Sequence, residues 1–117
     1  MNKLNKIKIH FVGIGGIGMS GIAELMFELG YTVQGSDISM NANIRRLKKR
    51  GIKIYNSHHK NNIHNMSAIV FSTAIKKNNP ELLECKRLYI PLITRADMLA
   101  ELMKLKKSIA IAGSHGK

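Results

Sequence analysis

The sequence contains no tryptophan and only three Tyr and three Phe, so a nucleic-acid surface built from stacking aromatics has little material. A single cysteine, Cys85, excludes an internal disulfide framework and points to a reducing compartment. No unbroken apolar run is longer than four residues, against the ~20 needed to span a bilayer. Lys8 and His10 interrupt the N-terminal segment where a signal-peptide core would have to lie. A cytoplasmic, soluble chain without membrane partners is expected.

Acidic residues are also scarce: seven Asp and Glu face nineteen Lys and Arg, a formal charge of +12. The densest basic group, Arg45, Arg46, Lys48, Lys49, Arg50 and Lys53, lies on and just after one predicted helix with no interleaved aromatics. It suits a solvated helix face, attraction of a phosphate-bearing ligand, or a small nucleic-acid-binding module. Charge alone does not choose among these. With 44% hydrophobic residues, the 117-residue chain has enough apolar material for one packed domain.

Patterning predicts alternating strands and helices. Residues 7–12 read as a strand, and Ile22, Leu25, Met26 and Leu29 mark the inner face of a helix over 18–29, with Glu24 and Glu28 opposite. Residues 31–35 form a second strand, and Ile44 and Leu47 line a basic helix that stops at Gly51. A short strand over 52–55 precedes a polar loop holding His58, His59 and His64. Residues 68–71 read as a strand buried on both faces. Asn79-Pro80-Glu81 opens a helix to about Leu88, with Leu82 and Cys85 inward. After a strand at 91–93, the cap Thr94-Arg95-Ala96-Asp97 starts a helix through Leu105, and Ser108–Ala112 reads as a last strand. The expected architecture is α/β: a Rossmann-like, doubly wound, mostly parallel sheet with helices on both faces.

Gly13-Ile14-Gly15-Gly16-Ile17-Gly18 fits G-x-G-x-x-G between a strand and a helix. Gly13 permits a tight turn, Gly15 a close approach of diphosphate to backbone, and Gly18 close helix packing. Each charge-assisted N–H bond contributes about 1.5–3 kcal/mol, more than the ~0.3–1 kcal/mol of a helix dipole, so loop amides would carry the affinity. Gly15→Val is accordingly expected to block the ligand without unfolding the chain. Asp37, at the end of the second strand, suits either ribose hydroxyls or a turn and helix cap. On residues alone the favoured ligand is NAD, as in an NAD(H)-binding domain of a truncated dehydrogenase. His10 reads as a packed histidine, and the three loop histidines have no carboxylate or thiol nearby in sequence, so no metal site is expected.

The run from Ile9 to Glu24, IHFVGIGGIGMSGIAE, closely resembles the start of the Mur ligases. The resemblance continues through Gly35-Ser36-Asp37, Ile54-Tyr55, His58, Ser72-Thr73-Ala74-Ile75, Asn79-Pro80-Glu81, Arg95-Ala96 and 98–103, and ends in Ile109 to Lys117. The G-I-G-G-x-G-M form of the loop is similar to the alanine-adding members. This resemblance changes the implied ligand from NAD to UDP-N-acetylmuramate, with Gly13, Gly15, Gly16 and Gly18 around its diphosphate. Ser36 and Asp37 would face the uridine, and His58 and Ser72 would lie near the same ligand. The family's reaction is ATP-dependent amide synthesis through an acyl phosphate, placing L-alanine on the muramic-acid carboxylate in peptidoglycan synthesis.

Gly113, Ser114, His115, Gly116 and Lys117 resemble the family's ATP loop, in which a following Thr or Ser holds Mg²⁺. The resemblance therefore divides the chain into a UDP-sugar-binding domain over 1–107 and the first strand and truncated ATP loop of a central ATPase domain over 108–117. It implies a fragment that binds UDP-N-acetylmuramate, contains no catalytic residue or metal ligand, and does not turn over. Oligomeric state is not legible.

Overall fold

The computed structural model describes residues 7–115. Five parallel strands, β1 (Lys8–Val12), β2 (Thr32–Ser36), β3 (Lys53–Tyr55), β4 (Ala68–Phe71) and β5 (Leu92–Thr94), stand in the order β3-β2-β1-β4-β5. Between and after them run α1 (Ile17–Glu28), α2 (Ala42–Lys49), α3 (Pro80–Arg87) and α4 (Arg95–His115). A single 3-10 turn, Lys60–Asn62, stands where a helix would join β3 to β4. This is the expected doubly wound α/β sheet.

The strand alternation divides the core. Ile9 and Phe11 point into a cluster with Met19, Ile22, Ala23 and Met26 of α1, Ile44 and Leu47 of α2, and Met98 and Leu102 of α4. Val12 and Ile69 point the other way, onto Ile63, Leu82 and Cys85. Three helices thus cover one face and α3 the other. Burial pushes the Cys85 thiol up to about 11, so this residue packs and does not react.

Two readings need correction. Leu25, assigned to the inner face of α1, is 41% exposed, while Met19 and Ala23 are buried beside Ile22 and Met26. Glu24 and Glu28 do lie opposite the inner face, where both accept from Arg50, at 2.9 and 2.6 Å, and join α1 to the basic helix α2. The expected strand at 108–112 is helical, because α4 continues to His115. A helix that continues satisfies its own backbone without any strand partner. Ala110 and Ala112 of this segment also favour helix.

Candidate functional site

Strand order reverses between β1 and β4, because the chain passes from β1 to β2 on one side and returns to β4 on the other. In open parallel sheets the crevice beyond the carboxyl ends of such strands receives the ligand. Gly13 follows β1 there and Ser72 follows β4, so two separate motifs meet at one edge.

The glycine turn is built from its own amides. Gly13 has φ +78°, and its N–H and that of Ile14 both donate to the Ser36 carbonyl at 2.8 and 3.1 Å. Gly16 N–H donates to the Gly13 carbonyl at 3.0 Å. Gly15 N–H donates to Asp37 Oδ2 at 2.8 Å, and Asp37 Oδ1 accepts from Ser39 N–H at 2.8 Å. Asp37 therefore acts as the turn former, and the amides of residues 13–16 hold the loop in shape. The amides of the first turn of α1 come next. The first bond of α1 runs from Ser20 N–H to the Gly16 carbonyl, so Ile17, Gly18 and Met19 precede any intrahelical acceptor. Side chains of Asn41, Asn79 and Thr94 accept amides at the starts of α2, α3 and α4, but Gly16 at the start of α1 offers none.

Two adjoining hollows flank this helix end. One of about 240 Å³ is lined by Ser72, Thr73, Thr94 and Arg95. A Cβ at Gly18 would come within 2.9 Å of Arg95 Cδ and Nη1, so the guanidinium lies against the open end of α1. Among the described residues it has no acidic partner. The other hollow, about 470 Å³, is lined by His58, Ile75, Lys76 and Asn79, and Ala74 borders both. Ile75 would stand 3.2 Å from a Cβ on Gly13, which ties this second hollow to the glycine turn. A cationic and donor-rich hollow beside a larger one forms an elongated crevice suited to an anion carrying bulkier groups.

Behind His58 stands a residue that sequence reasoning passed over. Glu81, read as part of the Asn79-Pro80-Glu81 helix start and of the resemblance but given no site role, is wholly buried. Its Oε1 accepts from His10 Nε2 at 2.7 Å and from Ser36 Oγ at 2.6 Å. Its Oε2 accepts from Asn62 Nδ2 at 2.6 Å and His59 N–H at 3.1 Å. Burial pulls the carboxyl pKa upward, but the bonds from His10, Ser36 and Asn62 outweigh it and hold the value at about 2. His10 is a packed residue, as expected. Its Nδ1 accepts from Gln34 Nε2 at 2.8 Å, and that same amide donates to the Asn62 carbonyl at 2.8 Å. Ser36 is likewise fully buried, so its hydroxyl meets the crevice only through His58, whose Nδ1 lies 2.8 Å away. No spacing signal marks Glu81, since its partners come from β1, β2 and the loop after β3.

A model of the Mur ligase family, catalytic domain, matches residues 8–107. The chain belongs to the Mur ligase family. UDP-N-acetylmuramate–L-alanine ligases are 61% identical over 109 residues in Rhodopseudomonas palustris (strain TIE-1) and 56% over 110 residues in Aquifex aeolicus (strain VF5). These alignments take in 93% and 94% of this Mur ligase chain. The crystal structure of UDP-N-acetylmuramate-alanine ligase from Thermotoga maritima superposes with a TM-score of 0.84 at 35% identity, over 86% of this chain and 24% of that one. The chain spans about a quarter of the length of these relatives, 23% and 24% for the two ligases.

The residues of the expected ATP loop lie at the far end of α4 and beyond it. Gly113, Ser114 and His115 lie in α4, and Gly116 and Lys117 lie outside the described residues. A continuous helix presents no turn of amides around a phosphate, and no cluster of His, Cys, Asp or Glu among the described residues could hold a metal ion. In the described part of this Mur ligase chain, Gly113, Ser114 and His115 thus belong to a helix and not to a turn. Among the described residues, no helix is long and apolar enough to cross a membrane.

Proposed function

We propose that this chain is the UDP-N-acetylmuramate-binding portion of a ligase that joins L-alanine to that sugar nucleotide, the ATP-dependent chemistry needing further protein. The domain over 1–107 holds the nucleotide end of the substrate. The supporting observation is the crevice at the β1/β4 reversal, where the uncapped start of α1 and the unpartnered Arg95 face one hollow. The diphosphate accepts from the amides of Ile17, Gly18 and Met19 and from the Arg95 guanidinium, with Ser72 alongside. The nucleoside lies toward His58 and the sugar toward the far end. Gripping this end positions the reacting carboxylate for chemistry elsewhere, a use of remote binding energy.

Parallel titrations of UDP, UDP-N-acetylmuramate and NADH by calorimetry test the reading. Both uridine ligands are expected to bind and NADH is not. NADH binding without uridine-ligand binding would restore the dehydrogenase-type alternative. In that alternative Asp37 would hold the ribose, yet both its oxygens already accept backbone amides. A steep salt dependence of RNA or DNA binding would favour the nucleic-acid alternative. Against that, Arg46 and Arg50 in the basic group are paired with Glu24 and Glu28.

A further inference from the structure

We propose that Glu81 acts through Ser36 to fix the tautomer of His58, so that His58 Nε2 accepts a hydrogen bond from an N–H or O–H of the nucleoside. The inference rests on the uridine-nucleotide reading and deepens it, since it assigns Glu81 and Ser36 as positioning residues and His58 as the one that touches ligand.

The argument is a count of hydrogens. Glu81 accepts four hydrogen bonds, two on each oxygen, and so has no proton to give. The single hydroxyl hydrogen of Ser36 goes to Glu81 Oε1 at 2.6 Å. Ser36 Oγ can then only accept along its 2.8 Å contact with His58, which places a hydrogen on His58 Nδ1. Neutral imidazole carries one N–H, so Nε2 keeps a bare lone pair. That atom points away from Ser36, has no partner among the described residues, and belongs to a side chain 17% exposed at the rim of the larger hollow. The chain Glu81, Ser36, His58 therefore carries acceptor character from the sheet interior to the crevice. A pyrimidine imide N–H or a ribose hydroxyl supplies the matching donor. A ligand offering only an acceptor there is refused, because a lone pair would meet a lone pair.

Long-range proton–nitrogen NMR of the 117-residue chain reads the tautomer directly. The expected spectrum shows His58 Nδ1 protonated and Nε2 bare, and a protonated Nε2 in the neutral ring overturns the proposal. Titration with UDP then tests its use. His58→Ala and Ser36→Ala are each expected to weaken UDP about tenfold, and the double variant no further, since both remove one interaction. Losses that multiply, or a folded His58→Ala with unchanged affinity, refute the relay while leaving the uridine reading intact. Failure of the unaltered chain to bind UDP at all removes that reading and this inference with it. N3-methyl-UDP, 2′-deoxy-UDP and 3′-deoxy-UDP separate the donors: the analogue whose affinity no longer responds to His58→Ala names the group that His58 holds. Should all three still respond fully, none of these donors is the partner and the proposal falls. If Ser36→Ala does not fold, the wild-type spectrum and His58→Ala decide alone.

Discussion

Asp37 Oδ2 accepts the Gly15 amide at 2.8 Å, which fastens the turn after β1 to the end of β2. The acid at the end of β2 thus shapes the glycine loop from behind. Replacing it with alanine leaves the buried Gly15 amide without an acceptor, at a cost of about 1–3 kcal/mol. Asp37→Ala is expected to lower urea-unfolding stability by that amount and to weaken UDP as well. Full stability in the variant would show that the contact does not hold the turn.

Gly15→Val does not separate binding from folding, contrary to the expectation from sequence. A Cβ at Gly15 falls 2.7 Å from Ile44 Cδ1 and 2.9 Å from Asp37 Oδ2, inside the packed core. Gly18 is the better probe, because its added carbon meets only the flexible end of Arg95. Gly18→Ala is expected to keep or raise the melting temperature, since alanine in a helix gains about 0.5–1 kcal/mol over glycine. Calorimetry should show weaker UDP binding in the same variant. A folded Gly18→Ala with undiminished affinity would place the diphosphate elsewhere.

Among the described residues lining the smaller hollow, Arg95 supplies the one guanidinium. A charge-assisted bond to phosphate contributes about 1.5–3 kcal/mol, so Arg95→Gln is expected to weaken UDP roughly 10- to 100-fold. Uridine lacks the phosphates and should bind both proteins equally. A loss of uridine affinity of the same size would mean that Arg95 acts by packing rather than charge.

Stability should depend on acid through Glu81. Its carboxyl ionises at about 2 in the folded chain, against an ordinary 4.5. A depressed carboxylate pKa stabilises the fold fully above the unfolded value and loses that contribution as pH falls through the folded one. The expected loss is about 3 kcal/mol between pH 4.5 and pH 2. Denaturant titrations across that range check it, with Glu81→Gln as the flat control: equal slopes in both proteins would remove Glu81 as the source. At neutral pH the same variant is expected to be destabilised by about 3–5 kcal/mol, because the donors from Ser36, His10 and Asn62 converge on the charge.

By itself the sequence determined the alternation of strands and helices, the parallel sheet, and the glycine turn opening α1. These are local or periodic properties: apolar spacing at Ile44 and Leu47, the caps at Asn79 and Thr94, and a glycine where φ is positive at residue 13. Spacing in the chain cannot report partners distant along it, and the tertiary structure decided those. It turned Asp37 onto Gly15, laid Arg95 against Gly18, and put Glu81 within reach of His10, 71 residues earlier. It also carried α4 through residues 108–112, where the local pattern read as a strand. A buried carboxylate is stable only where donors from several elements converge, and that convergence exists only once the sheet has formed.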